Sequence, residues 1–253
     1  FVIAKQEVTL PASLPEIEYG TALNPTQNSY KVKYQYSLDN GITFSDKVPN
    51  AGTYKVMIIV GLTGQSGAGK TTVCETFKKN GFAVINADIV AREVMSKSSE
   101  CLDETVSVFG DILLEDGTLD RKKLAEIVFS DSDKLSIYEN IIFPYIISSI
   151  KEKIDMYKKE SYDYILLDAP TLFESKADNL CDIIVSVIAD REIRIERILK
   201  RDSITLDEAE SRLNSQKNDD FYIEKSDYVI RNNGSLSELE NNTMNVVNSI
   251  KEQ

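Results

Sequence analysis

Gly64-Gln65-Ser66-Gly67-Ala68-Gly69-Lys70-Thr71 fits the pattern G-x-x-x-x-G-K-[ST] at every position. Glycines in such a stretch let backbone N–H groups curl toward a phosphate with no Cβ in the way. A helix starting near Lys70 adds the positive end of its dipole. In a loop of this kind Lys70 reaches the β- and γ-phosphates and the Thr71 hydroxyl binds Mg2+. Gln65, Ser66, Ala68 and Thr72 complete the wrap through their amides. The flanks agree: residues 58–62 form a short apolar run that reads as a strand, and 70–80 read as a helix.

Working outward, strands and helices alternate. Residues 82–85 read as a second strand, and 141–156 carry a long helical pattern. Residues 164–167 and 183–188 are continuous β-rich runs, the type buried on both faces of a parallel sheet. Residues 228–230 make a short last strand. This alternation predicts an α/β fold of the P-loop NTPase kind, with a parallel five-stranded, doubly wound sheet. Thr205-x-x-Glu208 and Ser235-x-x-Glu238 read as capping boxes at helix starts. Leu236, Leu239, Val246, Val247 and Ile250 then line one face of the final helix. Asp168 ends the run 164–167, the strand-end position from which a carboxylate can hold Mg2+ directly or through water.

The chain has 253 residues with a net charge of −12 and no histidine. The missing histidine excludes a Ser–His triad and histidine metal sites. Residues 1–56 hold five Lys and five Asp or Glu, so the whole negative charge falls on 57–253. An acidic surface argues against nucleic acid as a partner. No apolar run approaches the roughly 20 residues that span a bilayer. Cys74, Cys101 and Cys181 are odd in number and match no zinc spacing, so free thiols in a reducing cytoplasm are expected.

Residues 1–56 differ in kind. Residues 32–36 alternate in type, Ser37-Leu38-Asp39-Asn40-Gly41 is a hairpin signal, and 42–44 follow as a strand. The first methionine is Met57, directly before the strand that opens the loop. The stretch from Tyr34 to Gly41, with Pro49-Asn50-Ala51-Gly52-Thr53-Tyr54, resembles bacterial cell-surface immunoglobulin-like repeats of the MBG type. The expectation is two segments: a small β module or foreign, surface-derived leader at 1–56, and a kinase at 57–253.

A P-loop serves switches, motors and kinases. Switches need D-x-x-G after a strand, and no Asp beyond Met57 has Gly three places on. Motors and transporters usually need partner subunits and longer chains. Arg197 and Arg201 lie four apart, hence on one helix face. They precede a polar stretch that could close over ATP as a lid, about 194–220. Arginine suits bidentate phosphate contacts and stabilises charge on a moving phosphoryl group. The alternative is plain ion pairing with Glu196, Asp202 and Glu208.

Several further stretches, in order, carry a resemblance. They are Asn86-Ala87-Asp88 with Ala91-Arg92-Glu93-Val94, Phe109-Gly110 and Asp120-Arg121-x-x-Leu124. Asp168-Ala169-Pro170-Thr171-Leu172-Phe173-Glu174, Arg197-x-x-x-Arg201-Asp202, Arg212-x-x-x-Gln216 and Asp227-Tyr228-Val229-Ile230-x-Asn232 follow. Together with the loop they resemble the dephospho-coenzyme A kinases, from Ile58 to about Ser237. The resemblance implies transfer of phosphate from ATP to the ribose 3′-hydroxyl of dephospho-coenzyme A. It makes Asp88 the base or orienting carboxylate, or otherwise the N-cap of the next helix. It implies substrate contacts from Arg121, Pro170 and Leu172, an insertion at about 97–161 cradling the substrate, and Asn232 beside the adenine. The pattern departs at Asn86, Phe143, Thr171 and Arg194, where the family usually has Asp, His, Leu and Gln. The reading is thus a cytoplasmic kinase of a small molecule, a monomer or weak oligomer, using ATP and Mg2+. Its rivals are a P-loop kinase of another nucleoside monophosphate or metabolite, and a non-catalytic ATP-binding module.

Overall fold

The structure, a computed structural model, describes residues 57–252 and two short strands before them. These strands, β1 (Val8–Thr9) and β2 (Thr53–Tyr54), pair antiparallel. The strands read at 32–36 and 42–44, and the hairpin between them, lie outside the described residues.

From Met57 the chain alternates as the sequence predicts. β3 (Ile58–Gly64), α1 (Lys70–Lys79), β4 (Ala83–Asn86) and α2 (Ala87–Val94) come first. α3 (Glu100–Phe109), α4 (Arg121–Phe129) and α5 (Ser132–Lys159) occupy most of 97–161. β5 (Tyr164–Asp168), β6 (Ile183–Ile188), α6 (Arg191–Asp202), α7 (Leu206–Asn214), α8 (Asp219–Lys225), β7 (Tyr228–Arg231) and α9 (Leu236–Glu252) follow. The five strands lie in the order β4-β5-β3-β6-β7, and every pair is parallel.

β3 is central because helices cover both its faces. Ile58, Val60 and Leu62 point to one side, against Val73 and Phe77 of α1 and Leu239, Val247 and Ile250 of α9. Ile59 points to the other, with Ile85 and with Ile142, Ile146 and Ile150 of α5. The two-residue strand period thus feeds two cores. Each such side chain contributes about 1.5–3 kcal/mol on burial. At the amino edge two carboxylates complete the ladder. Asp182 accepts the Ile59 amide at 2.8 Å and Asp227 accepts the Ile184 amide at 2.7 Å.

Three details differ from the sequence reading. The helix expected at 141–156 begins at Ser132 and contains Pro144. Asp131 caps its start, accepting the Asp133 amide at 2.9 Å, and isoleucines on either side of Pro144 hold the helix on the sheet. Phe82 stands outside β4 and packs edge-on against Phe77, ring centroids 4.8 Å apart. On α9, Leu236 is 62% exposed, while Thr243 is fully buried. The Thr243 hydroxyl satisfies itself by donating to the Leu239 carbonyl at 2.7 Å. Both capping boxes form: Thr205 with Glu208, and Ser235 with Glu238. All three cysteines are free thiols. Among the described residues no helix is long and apolar enough to cross a membrane.

Candidate active site

β3 ends at Gly64 and α1 begins at Lys70, so the Gly-rich loop leaves the carboxyl edge of the central strand. Two of its glycines are required by their surroundings. At Gly64 (φ 147°) a Cβ would collide with the Val187 carbonyl of β6. At Gly69 (φ 101°) it would strike the Asn232 side chain. Gly69 is the N-cap of α1 and offers no capping side chain. The first amides of α1 are therefore open to an external acceptor.

The wrap is narrower than the sequence suggests. The Gln65 amide donates to Val187 O at 3.2 Å, Ala68 to Gln65 O at 3.1 Å and Thr72 to Gly69 O at 3.1 Å. Ser66 N–H donates to the Gln216 side-chain oxygen at 3.1 Å. Among the described residues the amides of Gly67, Gly69, Lys70 and Thr71 make no such bond. A tight loop satisfies most of its own buried amides.

Asp168 closes β5, pairing in register with Leu62 of β3 and Asn86 of β4. It is 5% exposed, and both its oxygens have partners. Lys70 Nζ forms an ion pair with Oδ1, and Asn86 Nδ2 donates to Oδ2 at 2.8 Å. Asn86 also accepts the Ile89 amide at 3.0 Å and so caps α2. The N-cap role considered for Asp88 therefore belongs to Asn86. An amide at 86 donates where an aspartate would set a second carboxylate against Asp168. Asp88 lies in the first turn of α2 and is exposed, two residues past the sheet edge.

Thr71 and Asp168 together offer a hydroxyl and a carboxylate. That is the donor chemistry of Mg2+, which takes one or two protein oxygens and completes its shell with phosphate and water. No group of three or more His, Cys, Asp or Glu able to hold a metal occurs among the described residues.

Arg197 and Arg201 share α6 but not their partners. Arg197 donates to Gly67 O at 3.4 Å and to Asn232 O at 3.2 Å. Asn232 is buried, and its Nδ2 donates to Ala68 O at 2.7 Å. These two residues fasten the loop backbone from the β7 side. An open cleft of about 430 Å³, lined by residues that include Asn232, Asn233, Glu238 and Asn242, lies there. Arg201 instead grips Asp202 through Nε and Nη2, at 2.6 and 2.8 Å. Arg212 of α7 binds the same carboxylate. The paired guanidinium groups hold the Asp202 carboxyl far below the usual carboxylate range. Arg201 thus makes the ion pair with Asp202 that the alternative reading named, while Arg197 reaches the phosphate loop.

Among the predicted substrate contacts, Arg121 is the exposed first residue of α4. Pro170 is half-buried and its carbonyl accepts the Thr63 hydroxyl at 3.2 Å. Leu172 is fully buried in the core, so its side chain offers a substrate no surface. Residues not singled out as site residues from the sequence also join the site: Asn86, Gln216 and Asp219 through long-range hydrogen bonds, and Asp202 and Arg212 through their shared ion pair. The motifs around Asn86, Asp202 and Arg212-x-x-x-Gln216 point to all of these but Asp219.

The family model for dephospho-CoA kinase matches residues 58–238. A dephospho-CoA kinase from Fusobacterium nucleatum subsp. nucleatum is 40% identical over 184 residues, spanning 72% of this chain and 93% of that protein. A dephospho-CoA kinase structure from Campylobacter jejuni gives a TM-score of 0.59 at 29% identity, over 77% of this chain and 97% of its own. A crystal structure from Thermus thermophilus gives 0.66 at 27% identity, over 76% of this chain and 97% of its own. By the family match and the relative's coverage, this chain belongs to the dephospho-CoA kinase family.

Proposed function

We propose that the chain catalyses ATP-dependent phosphorylation of dephospho-CoA to CoA, at the ribose 3′-hydroxyl, on the carboxyl edge of its sheet. One observation carries the residue-level reading. The open amides at the start of α1, Lys70, Asp168 and the exposed Asp88 all stand at the ends of the adjacent strands β3, β5 and β4.

The amides of Gly67, Gly69, Lys70 and Thr71 and the Lys70 ammonium bind the ATP phosphates. Lys70 exchanges Asp168 for phosphate, one anionic partner for another. Thr71 and Asp168 would hold Mg2+, which neutralises phosphate charge when bound. Asp88 orients the 3′-hydroxyl and accepts its proton. The 3′-oxygen bonds to the γ-phosphorus as the bond from that phosphorus to the β,γ-bridging oxygen breaks, and ADP leaves. Phosphoryl transfer of this kind asks mainly for positioning, so a carboxylate serves without histidine. Arg201 supplies positive charge from the last turn of α6. Arg197 and Asn232 hold the loop beside the cleft that takes the adenine. Arg121 meets the substrate's phosphates. We place this activity in the cytoplasm, with the chain acting as a monomer or weak oligomer.

An ADP-release assay over a substrate panel tests the reading. Turnover should be fastest with dephospho-CoA. Faster turnover with thymidylate or uridine reassigns the substrate, and ATP binding without turnover on any substrate favours a binding module.

A further inference from the structure

The phosphate loop is fastened to a segment 150 residues away in sequence. Ser66 N–H, in the middle of the loop, finds its acceptor in Gln216 Oε1 at 3.1 Å. Its neighbour Gln65 is 3% exposed and donates through Nε2 to Asp219 Oδ1 at 2.9 Å and to Lys217 O at 3.4 Å. Residues 216–219 thus hold two consecutive loop residues.

The same segment belongs to the arginine-bearing region. Gln216 follows α7 directly, one turn beyond Arg212, which meets Arg201 on the Asp202 carboxylate. At the other end Asn218 caps α8, accepting the Phe221 amide at 3.1 Å. Asp219 is held further by Arg231 at 3.4 Å. Arg201 and Arg212 thus meet on Asp202, and Gln216 meets the Ser66 amide; between Arg212 and Gln216 the link is the backbone at the end of α7, where the Gln216 amide donates to Leu213 O at 3.2 Å.

Two further features mark this junction. Gln65 Oε1 and Arg194 Nε are both buried without a partner among the described residues. Arg194 faces the Asp219 charge and its backbone packs against Gly67. The second feature is the residue type. Glutamine accepts the Ser66 hydrogen bond without adding negative charge beside a polyphosphate site. Glutamate would accept it more strongly but would repel the ligand.

We propose that Gln216 is a positioning residue that couples the expected lid, about 194–220, to the phosphate loop through the Ser66 amide. This rests on reading the loop as the ATP site.

The test is steady-state kinetics with ATP varied, on the full chain and three variants, with melting temperatures. Gln216→Glu keeps the acceptor and the shape. It should raise KM for ATP about tenfold, with kcat and melting temperature near wild type, and added salt should reduce the effect. Gln216→Leu keeps the bulk but unpairs Ser66, and should lower kcat on the order of tenfold. A brace with only a structural role would shift melting temperature and leave the salt-dependent KM untouched. Wild-type constants in both Gln216 variants overturn the proposal, as does a Gln216→Glu effect indifferent to salt. Lys70→Ala should be inactive. An active Lys70→Ala removes the ATP-site reading itself, independently of what the Gln216 variants do.

Discussion

Asn86 and Asp168, 82 residues apart, meet across the β4–β5 ladder, the asparagine amide donating to the carboxylate at 2.8 Å. The same asparagine caps α2 through its oxygen. One side chain thus sets both the helix that carries Asp88 and the carboxylate that pairs with Lys70. Asn86→Ala should cost about 1–3 kcal/mol of stability, the sum of a lost cap and a buried hydrogen bond. Asn86→Asp keeps the cap but replaces the donor to Asp168 with a second carboxylate, so at neutral pH it should cost at least as much as the alanine. Urea unfolding of the two variants at about pH 7 checks this order, and a smaller loss in Asn86→Asp would assign the effect to the cap alone.

Asp88 is exposed, and the cap it could have supplied comes from Asn86. Its removal should therefore spare the fold and strike the chemistry. Asp88→Asn should lower kcat by roughly 10²-fold or more while leaving the melting temperature within a degree or two. A near-normal rate in single-turnover measurements would remove Asp88 from the mechanism.

Gly69 has a backbone that L side chains rarely adopt, and its missing Cβ leaves room for the Asn232 amide. Gly69→Ala should displace Asn232 from the Ala68 carbonyl and tilt the amides at the start of α1. The expected result is a loss of several kcal/mol in nucleotide binding and transfer together, from strain and misplacement. Calorimetric titration with an ATP analogue checks it. Binding at wild-type affinity would show that the loop tolerates the Cβ.

What the sequence makes legible here is what is local. The loop, the strand before it and the helix after it are contiguous, and their glycines have no other common use. Continuous apolar runs at 164–167 and 183–188 announce doubly covered strands, because the β3 core needs apolar neighbours on both faces. The capping boxes are four-residue patterns and form as read. Long-range pairing is different. Nothing near Gln216 says that its acceptor will meet Ser66, and Arg201 and Arg197 look equivalent until Asp202 and Asn232 divide them. Leu172 sits in a motif of polar and turn residues, yet the close approach of its Cδ2 to Gly61 places it in the core. The helical pattern at 141–156 runs through Pro144, and the burial of Ile142 and Ile146 shows what holds the helix there.

Asp202 makes a prediction about pH. Its carboxyl is held down by hydrogen bonds from Arg201 first and Arg212 second. A carboxylate whose pKa is lower in the folded chain adds stability above its unfolded pKa, near 4, and loses that contribution as pH falls toward its folded value. The stability gap between the wild type and Asp202→Asn should therefore be constant from about pH 8 to 5 and close progressively below about pH 4. Because the cluster is solvent-accessible, added salt should also narrow the gap at neutral pH. The variant weakens the hold on both arginines, so its KM for ATP should change as well. Denaturant titrations across this range, with ATP kinetics at pH 7.5, separate the two effects. A gap independent of pH would mean that Asp202 contributes through shape and not through its charge.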